Sequence, residues 1–325
     1  LNAFRKIKES PTGNIFVTSG LGGMSGAQPK AGNIAGCITI CAEMNSKAVH
    51  TRHSQGWVDV VVKNTADLIT RVEQAQENKE TVSIAFEGNI VHVWEALYEA
   101  SIHVSIGSDQ TSLHNPWAGG YYPVDLSFDA SNEMMSKEPD QFKIEVQKSL
   151  RRHVEAINKH TEKGTYFFDY GNAFLLESSR AHADIAGVDK EFRYSSYVQD
   201  IMGPMCFDYG FGPFRWVCAS NDPEDLKKTD QIATDVLELL SKNAPERIQQ
   251  QMQDNIKWIK GAQENKLVVG SQARILYADS LGRIEIAKAF NKAIAAGEIG
   301  TIVLGRDHHD VSGTDSPYRE TSNIY

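Results

Sequence analysis

Cysteine is scarce in this chain: Cys37, Cys41, Cys206 and Cys218 are the only four in 325 residues, and no two form a C-x-x-C pair. That excludes a zinc ribbon, and a disulfide scaffold is implausible at this length. The thiols suit a reducing cytoplasm, and Cys37 and Cys41 read as plain core residues. No apolar run approaches the ~20 residues of a membrane span, and no cleavable leader is visible at the start. Lysine and arginine are outnumbered, 33 against 42 acids, for a formal charge of −9 without a basic stripe. Nucleic acid is therefore not an expected partner. Internal repeats and low-complexity tracts are also missing.

What remains is an ordinary globular composition, with 41% hydrophobic and 23% charged residues, long enough for two cores. The most informative stretch is Ile15 to Glu43. A β-rich run (Ile15, Phe16, Val17, Thr18) leads into Gly20-Leu21-Gly22-Gly23-Met24-Ser25-Gly26-Ala27-Gln28, and a second apolar run, Ile38 to Cys41, ends near an acid. Gly20 permits a tight turn, Gly22 lets the backbone approach a pyrophosphate, and Ser25, Gly26 and Ala27 let a helix start close to the sheet. The amides and dipole of that helix start then face the phosphates. Glu43 stands at roughly the 20-residue spacing expected of the acid that binds a ribose 2′-hydroxyl. A carboxylate there repels a 2′-phosphate, so NAD is favoured over NADP. The bland alternative is an ordinary strand-to-helix turn.

Strand and helix patterns alternate onward: Val58 to Val62 as a short apolar run, a helix over Thr65 to Gln76, a strand over Val82 to Phe86, a helix over Ile90 to Ala100 and a strand over Ile102 to Ile106. This predicts an α/β fold, a Rossmann-like doubly wound parallel sheet over residues 1–135, with ligand at the carboxyl ends of the strands. Those ends carry Glu87-Gly88-Asn89 and Gly107-Ser108-Asp109-Gln110-Thr111-Ser112-Leu113-His114-Asn115-Pro116, the latter opening toward Trp117, Tyr121 and Tyr122. Polar groups beside aromatics suit a nicotinamide and its ribose.

From about Ser131 the texture changes, and residues 136–325 are expected to form a mixed α/β catalytic-core segment. A long helix over Gln141 to Glu162 precedes a strand and turn at Tyr166 to Asn172. Helices are expected at Asp222 to Ser241, Pro245 to Ala262 and Arg283 to Ala296, with strands at Lys266 to Val269 and Thr301 to Leu304. Arg215, between Phe214 and Trp216 in a Gly-Pro-rich turn, suits a bidentate grip on a carboxylate, or equally a structural stack on Trp216. The last loop, Gly305 to Glu320, gathers Arg306, Asp307, His308, His309, Asp310 and Arg319. It can serve proton transfer and anion binding, or be a salt-bridged surface loop. His308-His309-Asp310 in immediate succession converges poorly on one ion, so no metal is expected.

Taken in series, Gly20 to Pro29, Asp109 to Pro116, Phe168 to Asn172, Gly212 to Trp216 and Gly305 to His308 resemble the urocanate hydratase (urocanase) family, closest to its longer branch. The resemblance spans the whole chain. It implies a hydro-lyase of histidine degradation that adds water to urocanate to give imidazolone propionate, using oxidised NAD as an electrophile without net redox change. It further implies that Gly23, Met24 and Ser25 contact the pyrophosphate and Glu43 the ribose. Asn89, Gln110, Thr111, Ser112, Leu113, His114, Tyr121, Tyr122 and Tyr170 would complete the NAD pocket. Arg215 and Arg319 would hold the substrate carboxylate, with Asp307 or Asp310 handling imidazole protons. A cytoplasmic homodimer is implied as well.

The chain departs from the family in two ways. Ala273-Arg274-Ile275-Leu276-Tyr277 carries Leu276 where the shorter branch has a cysteine often named as the active-site residue. A leucine can be neither nucleophile nor acid, and a nicotinamide electrophile makes such a cysteine dispensable. The family also continues at both ends, so the chain reads as an internal segment. Two other classes compete: an NAD-dependent dehydrogenase of a small hydroxy acid, which would share the glycine turn and Glu43, and a non-enzymatic NAD sensor.

Overall fold

The computed structural model describes residues 1–22, 25–111, 113, 115–171, 173–186, 191–265, 267 and 272–305. Among these the chain divides into two units, with the break between Asp200 and Ile201. No described helix is long and apolar enough to cross a membrane.

The first unit runs α1 (Asn2–Ile7), β1 (Ile15–Ser19), a 3-10 turn (Ser25–Ala27), α2 (Gln28–Ala35), β2 (Ile38–Glu43), α3 (Ser46–Ser54), β3 (Val60–Val62), α4 (Thr65–Glu77), β4 (Val82–Glu87), α5 (Ile90–Glu99), β5 (Ile106–Asp109), α6 (Phe128–Lys137), α7 (Pro139–Thr161), β6 (Tyr166–Asp169) and α8 (Phe174–Arg180). Its six strands lie in the order β3-β4-β2-β1-β5-β6, every neighbouring pair parallel. Strands covered on both faces need apolar residues at every position, and β2 and β4 are buried along all but their last residue. Alternation still decides which face each side chain serves. Ile38, Ile40 and Ala42 join the core with Leu68 and Val72 of α4 and Val91 and Trp94 of α5. Cys41 packs with Val49 of α3 on the other face. There too Gly32 of α2 meets Thr39 so closely that a Cβ would stand 1.8 Å from its Oγ1. Asn45, Asn64 and Asn89 start α3, α4 and α5 by accepting a main-chain N–H two or three residues on.

Two expectations are corrected here. The fifth strand is Ile106–Asp109 rather than Ile102 to Ile106. Ser101, at φ 58°, and Ile102, whose N–H returns to Leu97 O, are still closing α5. The expected division at residue 135 moves to Asp200, because α7 packs on α5 and β6 pairs in register with β5. The sheet cannot end before both have been added.

The second unit contains α9 (Gly203–Met205), β7 (Gly212–Cys218), α10 (Pro223–Ser241), α11 (Glu246–Lys260), β8 (Ala273–Ala278), α12 (Ser280–Ala295) and β9 (Ile302–Gly305). Its strands form an antiparallel sheet, β8-β7-β9. Phe214, Trp216 and Cys218 of β7 enter the core with Leu276, Ile286 and Phe290. The expected strand at Lys266 to Val269 lies largely outside the described residues.

Candidate functional site

β1 ends at Ser19, and the chain turns at Gly20 with φ +88°, a left-handed conformation open to glycine. A Cβ there would also stand 2.8 Å from Ser25 Oγ. Gly20 N–H still donates to Ala42 O at 2.8 Å, so the turn leaves the sheet in register with β2. Glu43, at the end of β2, ties the turn to the loop after its own strand. Its Oε2 accepts the Leu21 N–H at 2.8 Å and its Oε1 accepts the Asn45 N–H at 2.8 Å. A carboxylate has about four lone-pair sites, so acceptor capacity remains for a ligand hydroxyl.

On the other side of β1, Asp109 closes β5, its carboxylate 1% exposed. It accepts the Ser19 hydroxyl at 2.6 Å and the Thr111 N–H at 3.1 Å, while Gln110 N–H donates to Ser19 Oγ at 3.2 Å. This fixes the loop after β5 against the end of β1. After β4, Asn89 accepts the Val91 N–H and donates through Nδ2 to Tyr122 O at 2.9 Å. The helix cap thus also holds the tyrosine loop.

These loops surround one cleft at the carboxyl ends of β1, β2, β4 and β5. Gly22, Ser25, Glu43, Asn89, Gln110, Thr111, Tyr121 and Tyr122 all line it. The amide nitrogen Nε2 of Gln110 is buried there without a hydrogen-bond partner among the described residues. An unsatisfied buried donor is costly unless a ligand acceptor meets it. Burial, and then the charge of Glu43, pushes the Tyr122 phenol up, so it stays protonated and donates to Asn132 Oδ1 at 3.2 Å. Tyr121 is raised further by burial and then by Asp109. Its hydroxyl pairs with His153 Nδ1 at 3.2 Å, and burial drives that imidazole down to about 4, so it is neutral at pH 7.

Other expected residues fall elsewhere. Leu113 turns its side chain into the core, 0% exposed, because the short loop beneath the cleft needs an apolar anchor. Tyr170 does not line the cleft and stacks on Tyr197 at 4.7 Å. Gly23, Met24, Ser112, His114, Asp307, Asp310 and Arg319 lie outside the described residues. The cleft also has walls that the sequence alone did not mark, including Ser19, Met44 and Gly119-Gly120. The double glycine just before Tyr121 was the available signal for the last of these.

In the second unit Arg215 lies on a strand, not in a turn. Alternation along β7 sends Phe214 and Trp216 to the core face. Trp216 is fully buried, donates to Thr229 Oγ1 at 3.0 Å and packs edge-on against Phe290. A stack of Arg215 on Trp216 is thereby excluded, since neighbouring strand residues point to opposite faces. Arg215 Nε is buried without a partner among the described residues, a donor suited to a carboxylate. Leu276 stands opposite Phe214 in the register, 2% exposed in the core.

Residues 1–201 match the family model described as the urocanase Rossmann-like domain, and residues 204–325 match the urocanase C-terminal domain. The former domain is compatible with a nucleotide cofactor. The whole chain is 55% identical to half of a protein from Caenorhabditis elegans named probable urocanate hydratase. It is 56% identical to one of the same name from Dictyostelium discoideum, covering 49% of that protein. The urocanate hydratase of Mus musculus is 54% identical, again over all of this chain and 50% of its own length. The chain therefore spans about half the length of the curated relatives it matches.

Proposed function

The chain belongs to the urocanase family, and from that premise we propose that it is the NAD-holding portion of a urocanate hydratase, a hydro-lyase that converts urocanate and water to imidazolone propionate in histidine degradation. The observation that carries the reading is the cleft in which Glu43 and the unsatisfied Gln110 amide stand at the carboxyl ends of β2 and β5, on opposite sides of β1. A dinucleotide lies across that strand in such folds, one half on each side. Glu43 would take the adenosine ribose, and Gly22 and Ser25 would flank the pyrophosphate together with Gly23 and Met24. Gln110, Thr111, Asn89, Tyr121 and Tyr122 would enclose the remainder with Ser112 and His114. When bound, the oxidised nicotinamide supplies an electrophile for the electron-rich imidazole of urocanate.

The protein's own groups do the rest. Arg215 offers an unsatisfied guanidinium N–H to the substrate carboxylate, with Arg319 as its expected companion. Asp307 or Asp310 moves imidazole protons. A homodimer in the cytoplasm belongs to the same proposal.

The test uses the full-length enzyme with urocanate. Ultraviolet absorbance of the substrate should fall while bound NAD stays oxidised and no NADH fluorescence develops. Fluorescence rising with a small hydroxy acid, and no loss of urocanate, would replace this reading with that of a dehydrogenase. The 325-residue segment alone should retain the dinucleotide yet hydrate urocanate weakly or not at all. Robust turnover by the segment would overturn that expectation.

A further inference from the structure

The geometry points to Arg52 as a positioning residue that sets the glycine turn for a pyrophosphate, an inference that rests on the dinucleotide reading of the cleft. Arg52 lies in the last turn of α3. Its Nε donates to Leu21 O at 3.1 Å and its Nη2 to Gly22 O at 2.6 Å, so one planar guanidinium grips two successive carbonyls of the turn. The guanidinium is itself held in place. Nη1 donates to Gln55 Oε1 at 2.9 Å, and the group lies over the Trp57 ring at 5.2 Å.

Gly26 makes room for this grip. A Cβ on Gly26 would stand 2.2 Å from Arg52 Nε and 2.7 Å from Cζ. The small residue in the helix start therefore serves the arginine, whereas the close approach of helix to sheet is made by Gly32.

The consequence follows from the planarity of the peptide. In a trans unit the carbonyl and the following N–H point opposite ways. Drawing Leu21 O toward Arg52 turns the Gly22 N–H to the other side, and Gly22 lines the cleft. Leu21's own N–H is already taken by Glu43. Arg52 and Glu43 thus hold the two ends of one short segment, carbonyls behind and an amide in front. A carbonyl that rotated into the cleft would repel a phosphate, and the cation behind the turn adds attraction for one. Lysine, with a compact ammonium, cannot span both oxygens in the same plane.

The experiment compares two ligands on the full-length enzyme after cofactor removal: ADP-ribose, which carries the pyrophosphate, and adenosine, which carries none. Arg52→Lys removes the fork, and Gly26→Ala displaces it while keeping the charge. Both variants should bind ADP-ribose about tenfold more weakly, with adenosine affinity changed by less than about twofold. Wild-type ADP-ribose affinity in both variants overturns the inference. So does equal weakening of both ligands, which would mark Arg52 as a support of the fold alone. If the unaltered enzyme binds neither ligand, the dinucleotide reading itself fails, a separate and recognisable outcome.

Discussion

Glu43 and Leu21 meet at 2.8 Å, carboxylate oxygen to main-chain N–H, while the second carboxylate oxygen holds Asn45 N–H at the same distance. Glutamine at position 43 would offer one acceptor oxygen for two donors. One buried N–H would then face an amide NH2. Glu43→Gln is expected to lower stability by about 1–3 kcal/mol in urea denaturation. On the proposed dinucleotide reading it should also narrow a preference for NAD over NADP, since the charge that would repel a 2′-phosphate is gone. Unchanged stability together with unchanged discrimination would show that Glu43 serves neither purpose.

His153 gives the first unit a specific acid sensitivity. Its folded-state pKa, pushed down to about 4 by burial against an ordinary value of 6.5, is partly restored by the charges of Asp109 and Glu95. Above pH 6.5 the imidazole is neutral folded or unfolded and contributes nothing. As pH falls from 6.5 toward 4 the unfolded chain takes up the proton first, so stability is lost, by roughly 3 kcal/mol when complete. His153→Gln keeps a partner for Tyr121 and removes the titration. Denaturation midpoints at pH 7 and pH 4.5 should differ less in that variant than in the parent, and equal differences would refute the assignment.

Gly32→Ala would place a methyl 1.8 Å from Thr39 Oγ1, a buried atom on β2. Neither the strand nor α2 can yield cheaply, so a loss of about 1–3 kcal/mol is expected. Thr39→Ala removes the clashing hydroxyl, and the double variant should recover part of the loss. Strict additivity of the two changes would show that they do not meet.

Arg274, itself buried, and the partly buried Asp230 form an ion pair in the second unit, Nε to Oδ1 at 2.9 Å and Nη2 to Oδ2 at 2.5 Å. Burial raises the Asp230 carboxyl, and the guanidinium works against that rise. Arg274→Met would leave the partly buried carboxylate without its cation, at a cost of about 1–3 kcal/mol. Arg274→Met with Asp230→Leu should be milder than Arg274→Met alone, read as the denaturation midpoint of the second unit.

Much of the first unit could be read from the chain because its signals are local. Gly20, the uninterrupted apolar runs of β2 and β4, and Glu43 at its spacing each carry a meaning fixed by backbone geometry. The expected cofactor residues whose side chains line the cleft are of this kind, or follow strands that were. Arg52 was not legible, since a helical arginine four residues after Ala48 looks like any solvated charge until α3 folds back on the glycine turn. The core position of the Leu113 side chain is not legible, because a polar loop hides which single residue anchors it. Gly210, Gly212 and Pro213 ahead of Arg215 suggest a turn, and the alternation of Phe214, Trp216 and Cys218 outweighs them. The boundary at Asp200 depends on β6 pairing with β5, a long-range choice that local composition does not announce.

Ser19 and Asp109 hydrogen-bond across 90 residues of chain, and the strands they terminate are neighbours at the middle of the sheet. During synthesis β1 therefore leaves the ribosome long before one of its two partners exists. At ~5–20 residues per second the delay is on the order of 5–20 seconds. Until then β1 lacks one of its two neighbours in the finished sheet. Synonymous changes that slow translation between β4 and β5 should lower soluble yield without altering the finished protein.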